Sequence, residues 1–201
     1  MNENTTKPGD VRFLDGKRIS LRALELGDAE FSQEWINSPD VRQFLTAVFP
    51  TTLESEKAWI ASLSGKTPPS NIVFAVILKT HGHIGNVGIH SINWTDRSCT
   101  LGAFIGSSAH RRQGFGSEAL MLILDYAFDS LGLHRACADA YSTNAGSLGA
   151  MKKAGFKIEG EAREAHFSKG AFVNVTKLAM LEEEWREIRT NLPDYQKLIK
   201  K

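Results

Sequence analysis

From Gly114 to Leu131 the chain is a nearly unbroken apolar segment of helical length, flanked by the strand-like runs "SCTLGAFIG" and "LHRACADAY". Strand, helix and strand in that order make a crossover, which joins two parallel strands and does so with a right-handed turn. The chain before it has another pattern. "IVFAVILK", "HIGNVGIHSINW" and "SCTLGAFIG" are separated only by the turn signals "THGH" and "TDRS", and connectors that short imply an antiparallel meander. The expected fold is therefore α/β, with a mixed sheet of about seven strands whose antiparallel front half meets a parallel central pair.

The remaining elements follow from the same signals. "GKRISLRAL" alternates Ile19, Leu21 and Ala23 on one face as a first strand. "GDAEFSQEWINS" reads as a helix capped by Asp28, and "TTLESEKAWIASL" as a second capped by Thr51 or Thr52. After the crossover, Asn144 to Ala154 reads as a helix, and "GFKIEG" and "AFVNVTKLAML" as closing strands. With 201 residues the chain suits one well-cored domain. The expected division is an N-terminal extension over 1–15, the domain over 16–190 and a C-terminal tail over 191–201. The end of that tail, "QKLIKK", is expected to be mobile, and "TKLAMLEEEWREI" to pack on its own domain rather than on a partner subunit.

Composition narrows the function. A net charge of +1 gives the fold as a whole no electrostatic reason to coat nucleic acid or an anionic membrane. The first ten residues lack the apolar run of a secretory signal, and no stretch approaches the roughly 20 apolar residues of a spanning helix. The expected location is the cytoplasm, as a monomer or homodimer. Cys99 and Cys137 lack CxxC spacing and read as reduced core residues, and His81 and His83 flank a turn without further ligands, so no metal is expected.

An anion site, if present, is local, and "RRQGFGSEAL" (Arg111–Leu120) is the candidate. Gly114 and Gly116 let the backbone approach a ligand closely where a long helix begins, so unpaired N–H groups and the positive end of the dipole converge there. That arrangement binds phosphate oxygens. No Gly-Lys-Ser/Thr follows, which excludes a Walker loop. Gly114, Gly116 and Ala119 satisfy GxGxxA, with Asp139 at a suitable distance. Against a dinucleotide fingerprint, "GSSAHRRQ" puts eight residues between Ile105 and the glycines, and a meander replaces the further βαβ units. RxxGxG, Arg111 to Gly116, as a pyrophosphate cradle for coenzyme A is the third reading.

Downstream, "NAGSLGAMKKAGF" sets Asn144 and Ser147 three residues apart at a helix start and ends in a Gly-Phe pair. With "AHRRQGFGSEALMLILDYAF", "LGLHRACADAYSTNAGSLGAMKKAGFKIEGEAREA" and "GHIGNVGIHSINW", the sequence resembles the GNAT acyltransferases, and more narrowly their RimJ/RimL-like branch, which acetylates protein N-termini. The resemblance runs from about Gly16 to Glu184. It implies that acetyl-CoA lies as co-substrate where the two parallel strands splay apart. Backbone around Phe104, Ile105 and Gly106 would pair with the pantetheine, and Arg111, Arg112, Gln113, Gly114, Phe115, Gly116 and Ser117 would hold the pyrophosphate.

By the same resemblance Asn144 binds pantetheine, while as a residue type it is also an ordinary helix cap. Ser147 matches the group that protonates the departing thiolate; where many relatives carry a Tyr acid, this chain has Met151. The base departs from the family pattern. Thr100-Leu101-Gly102 stands where many relatives have Glu-Leu-Gly, and aligning on Phe156 brings His166 to a proposed Glu position, with Glu164 on the same strand face by alternation. The expected activity is transfer of an acetyl group to a primary amine by direct attack in a ternary complex, with a protein N-terminal α-amine as acceptor. The alternatives are a small-molecule amine (a polyamine, an amino sugar or an antibiotic) and a non-catalytic acyl-CoA-binding module.

Overall fold

A computed structural model of the protein describes residues 11–191 and Tyr195. Eight strands form one sheet in the order β1-β2-β3-β4-β5-β6-β8-β7. These are β1 Leu14–Asp15, β2 Ile19–Ala23, β3 Ile72–Leu78, β4 Gly82–Asn93, β5 Ser98–Ile105, β6 Arg135–Tyr141, β7 Lys157–Ser168 and β8 Ala171–Leu181. Every neighbouring pair is antiparallel except β5 and β6. The mixed sheet expected from the crossover and the meander is thus present. The short β1 lies within the segment expected to precede the domain. β8 inserts between β6 and β7, so the outer edge belongs to β7.

Alternation along the meander divides two environments. Phe74, Val76, Val87, Ile89, Cys99 and Leu101 face the main core with α4, Phe115–Asp125. Val73 and Ala75 face the opposite side and pack with Leu24, Ala29 and Ile60. On that side lie α1 Ala29–Asn37, the short α2 Pro39–Arg42 and α3 Leu53–Ser62. Thr52 caps α3 by accepting from the Ser55 N–H at 3.1 Å. Asp28 precedes α1 without capping it, because its carboxylate is held by Arg22, with both contacts at 2.7 Å. Burial, then the neighbouring Cys137, pushes the Cys99 thiol up to about 12.

α4 is buried on almost all sides, which is why its sequence lacks a polar stripe. It continues into a wider turn over Tyr126–Ser130, where the Leu131 N–H bonds the carbonyl of Tyr126. Two further helices cover it: α5, Ala145–Lys153, and α6, Glu182–Asn191. Trp185 of α6 is fully buried and donates its indole N–H to Asp125 at 2.9 Å. Arg189 and Tyr195 bond the same carboxylate, so the terminal helix packs on its own domain. The tail sequence "QKLIKK" lies outside the described residues. No helix among the described residues is long and apolar enough to cross a membrane. Trp185→Ala, which empties this joint, is expected to cost about 3–5 kcal/mol in a urea melt monitored by circular dichroism.

Candidate active site

The parallel pair stays joined for only three rungs, Ser98↔Arg135, Cys99↔Ala136 and Thr100↔Cys137. Beyond them β5 follows β4 as far as Gly85↔Ile105, while β6 follows β8 as far as Tyr141↔Val175. The strands therefore splay. Every strand carries donors and acceptors on both edges, and a buried group left unpaired costs about 1–3 kcal/mol. Leu101–Ile105 and Ala138–Tyr141 thus wall a slot suited to an extended occupant with amides of its own. Gly106 closes its upper end: its N–H donates to Ile84 at 2.9 Å, and its carbonyl accepts from Arg111.

Just past that end the backbone forms a cradle. Arg112 and Gly114 both have left-handed φ, +60° and +83°, a pattern of turns that gathers successive N–H groups into a concavity. The first N–H bonded within α4 is that of Glu118, to the carbonyl of Gly114, and no side chain caps this end. The amides of Phe115, Gly116 and Ser117 are thereby left to an external acceptor at the positive end of the helix. At Gly116 a Cβ would meet nothing nearer than Ile105 at 3.9 Å, so the approach is open.

The arginines divide their work. Arg111 donates to the carbonyls of Ile105 at 3.0 Å and Gly106 at 2.7 Å, strapping the loop back onto β5, and its remaining guanidinium nitrogen lies 3.6 Å from Asp40. Arg112 is exposed beside the cradle. A third arginine, Arg18, went unremarked in the sequence. It reaches from the chain before β2 to donate to the Gln113 carbonyl at 2.8 Å and to the Glu118 carboxylate at 2.8 Å. Its guanidinium also lies 4.6 Å from the centre of the Phe115 ring. Glu118 is wholly buried.

At the end of β6, Asn144 caps α5 by accepting the Ser147 N–H at 3.0 Å. Ser147, half-buried, sits in the first turn of that helix at the mouth of the slot. The closing strands change the expected relation of His166 and Glu164. The register of β7 on β8 slips between Ala162 and His166, and Glu164 takes a left-handed φ of +52°. Alternation cannot be carried through that bulge, so the shared face expected for the two residues does not follow. Glu164 is exposed and lines an open groove of about 580 Å³ with Arg163 and Asn174. The His166 ring instead lies flat on that of Tyr141, with centres 3.9 Å apart and planes 9° from parallel. The buried Tyr141 hydroxyl has no hydrogen-bond partner among the described residues, and burial raises its pKa.

On the α1 side a polar chain runs from Arg22 through Asp28 to His83, 3.4 Å from Asp28, then to Asn86 at 2.8 Å and Ser32 at 2.9 Å. It anchors α1, whose Trp35 packs over Gly106 so closely that a Cβ there would overlap the indole. Asp139, the acidic partner in the dinucleotide reading, is paired with Lys177 at 2.6 Å.

Slot, cradle and helix start together define a protein that takes an acyl-coenzyme A. The chain matches the acetyltransferase (GNAT) domain family over residues 18–157. It is 31% identical over 180 residues to the "Probable N-acetyltransferase YjcK" of Bacillus subtilis, covering 86% of this chain and 98% of that protein. It is 27% identical over 170 residues to the spermidine N(1)-acetyltransferase of Vibrio cholerae, covering 84% and 95%. A crystal structure of spermidine N-acetyltransferase from Vibrio cholerae in complex with CoA and spermine superposes with a TM-score of 0.78 at 23% identity, over 84% of this chain and 98% of that one. The chain belongs to the GNAT acetyltransferase family and is an N-acetyltransferase.

Two outcomes test this framework. Arg18→Leu leaves the Glu118 carboxylate buried without its partner and is expected to lower stability by about 3 kcal/mol, read by urea unfolding. Acid should also loosen the α1 anchor. Burial, against smaller opposing effects of Asn86 and Asp28, holds the His83 imidazole below its ordinary value. The folded state then binds fewer protons than the unfolded one, so this contribution is present above pH ~6.5 and lost as pH falls through the depressed value. The melting temperature should drop from pH 7 to pH 5, and less steeply in His83→Gln.

Proposed function

We propose that the protein moves the acetyl group of acetyl-CoA to a primary amine by direct attack within a ternary complex. The slot between β5 and β6, continuous with the cradle at α4, is the observation that carries this reading. The amides of Arg112 through Ser117 hold the pyrophosphate, while Arg111 acts through the loop it straps. The inner edge of β5 at Phe104 and Ile105 pairs with the pantetheine arm, with Asn144 opposite at the end of β6. When bound, acetyl-CoA supplies an activated acyl carbon and a thiolate leaving group of pKa about 8.5. Ser147 donates a hydrogen bond to that sulfur as it departs, from the N-terminal turn of α5, where the helix dipole favours negative charge.

We assign the acceptor to small primary amines of the polyamine class. The likeness to a spermidine N(1)-acetyltransferase over 84% of the chain supports this. A protein N-terminus is the second reading. Phe44, Phe49, Phe167 and Phe172 are exposed, and Lys169 at the β7–β8 turn donates to Gln43 beyond α2 at 2.9 Å, so two apolar segments are tied into one platform. An α-amine also costs only about 1 kcal/mol to free at pH 7, against about 4.6 for a lysine-type amine.

Acetyl-CoA and free coenzyme A should each raise the melting temperature, and NAD should not. Competition between spermidine and a peptide with a free N-terminus decides the acceptor, with spermidine expected to win. Ser147→Ala should lower kcat about tenfold while leaving acetyl-CoA affinity unchanged, matching one lost hydrogen bond of about 1.4 kcal/mol. An unaltered kcat would remove Ser147 from the reaction.

A further inference from the structure

A histidine of β4 stands where the slot begins. His90 is directly across from Thr100 of β5, and Thr100 is across from Cys137 in the last rung that joins β5 to β6. Their side chains share the face covered by α1 and α3, opposite to Cys99 and Leu101 in the main core. The imidazole folds back along its strand. A Cβ at Gly88 would lie 2.7 Å from Cε1 and overlap Nε2, and one at Gly102 would lie 3.5 Å from both Cδ2 and Nε2. Gly88 and Gly102 are cross-strand partners. Two facing glycines thus form a seat that lets the ring span from β4 to β5, and it reaches β5 two residues beyond the last rung, where the slot is open.

The ring is half-buried and makes no hydrogen bond among the described residues. Burial alone lowers its pKa, so it is neutral at pH 7 and can accept a proton. The other titratable groups of this face do not act on it. Asp28 and His83 belong to the Arg22 chain, Asp139 is paired with Lys177, and Glu56 of α3 is itself buried. The two histidine and glutamate candidates on β7 are less well placed. β7 is the second strand out from β6; the His166 ring reaches back to the end of β6, but one of its faces is covered by Tyr141, and Glu164 is exposed at the bulge.

We propose that His90 is the general base of the acetyl transfer, accepting the proton of the acceptor ammonium at Nε2, directly or through one water. This rests on the N-acetyltransferase reading of the slot. The proton passes to Nε2, and the freed nitrogen lone pair forms the bond to the acetyl carbon as the carbon–sulfur bond breaks. The sulfur takes the electron pair, the acylated nitrogen gives up its second proton to the departing sulfur, relayed through the Ser147 hydroxyl or a water, and the imidazolium returns the first proton to water.

The test compares the wild type with His90→Gln, Gly88→Ala and His166→Gln, using acetyl-CoA with spermidine and with an N-terminally free peptide. His90→Gln should lower kcat/KM about 10²-fold at pH 7 and abolish the acidic limb of its pH profile, with acetyl-CoA affinity and melting temperature unchanged. Gly88→Ala, which displaces the ring, should lower kcat with the same coenzyme affinity, and His166→Gln should keep the acidic limb. A His90→Gln enzyme that retains the limb, or a His166→Gln enzyme that loses it, overturns the assignment. NMR titration of the His90 ring gives a readout free of turnover. Its pKa should lie below about 6.5 and its resonances should shift when acetyl-CoA is added. A ring with an ordinary pKa and no response to acetyl-CoA overturns the proposal, whereas failure to acetylate either amine with the expected NMR response counts against the acceptor reading instead.

Discussion

The site depends on the charge pair between Arg18 and Glu118. Glu118 lies in the first full turn of the apolar helix, where its carboxylate is sealed from water, and an isolated carboxylate there would be costly to bury. Arg18 resolves this and simultaneously grips the Gln113 carbonyl, one residue before the left-handed Gly114. One guanidinium therefore fixes the helix, the loop before it and the first long strand of the sheet. The free amides at the start of α4 are held in place before any ligand arrives, which reduces the ordering cost of binding an anion there.

Around this fixed point the sheet is used asymmetrically. One face carries the apolar body of α4, with the helix starts of α4 and α5 at its rim. The other carries thin helices, polar side chains and glycines, and it is there that Thr100, His90, Tyr141 and His166 stand. Gly106 belongs to this division as well, since only a residue without a Cβ lets Trp35 cover the top of the slot.

The crossover, the meander and the glycine-marked turn before α4 were legible in the sequence, because each is a local pattern: an apolar helix between strands, short connectors, and glycines at a helix start. What escaped has no local signature. Arg18 and Glu118 are a hundred residues apart. The left-handed kink at Glu164 falls on a residue that is neither glycine nor next to one and is held by Asn174 of the next strand, so counting alternate residues misplaced it. β8 passes inside β7, an order that strand patterns alone do not specify. The seat beneath His90 had a faint trace in Gly88 and Gly102, which acquire meaning only once the two are known to be rung partners.

The insertion of β8 also has a consequence for biosynthesis. Among the described residues, β6 has only a three-rung attachment to β5, and its other edge is held by β8 alone, over Arg135–Tyr141. The second wall of the slot is therefore supported by a strand that leaves the ribosome some thirty residues after it. Until residues 171–181 have emerged, the helix start and its loop can form but the slot has a single firm side. A chain lacking that strand should hold no extended coenzyme arm, even though every residue of β5, α4 and β6 is present.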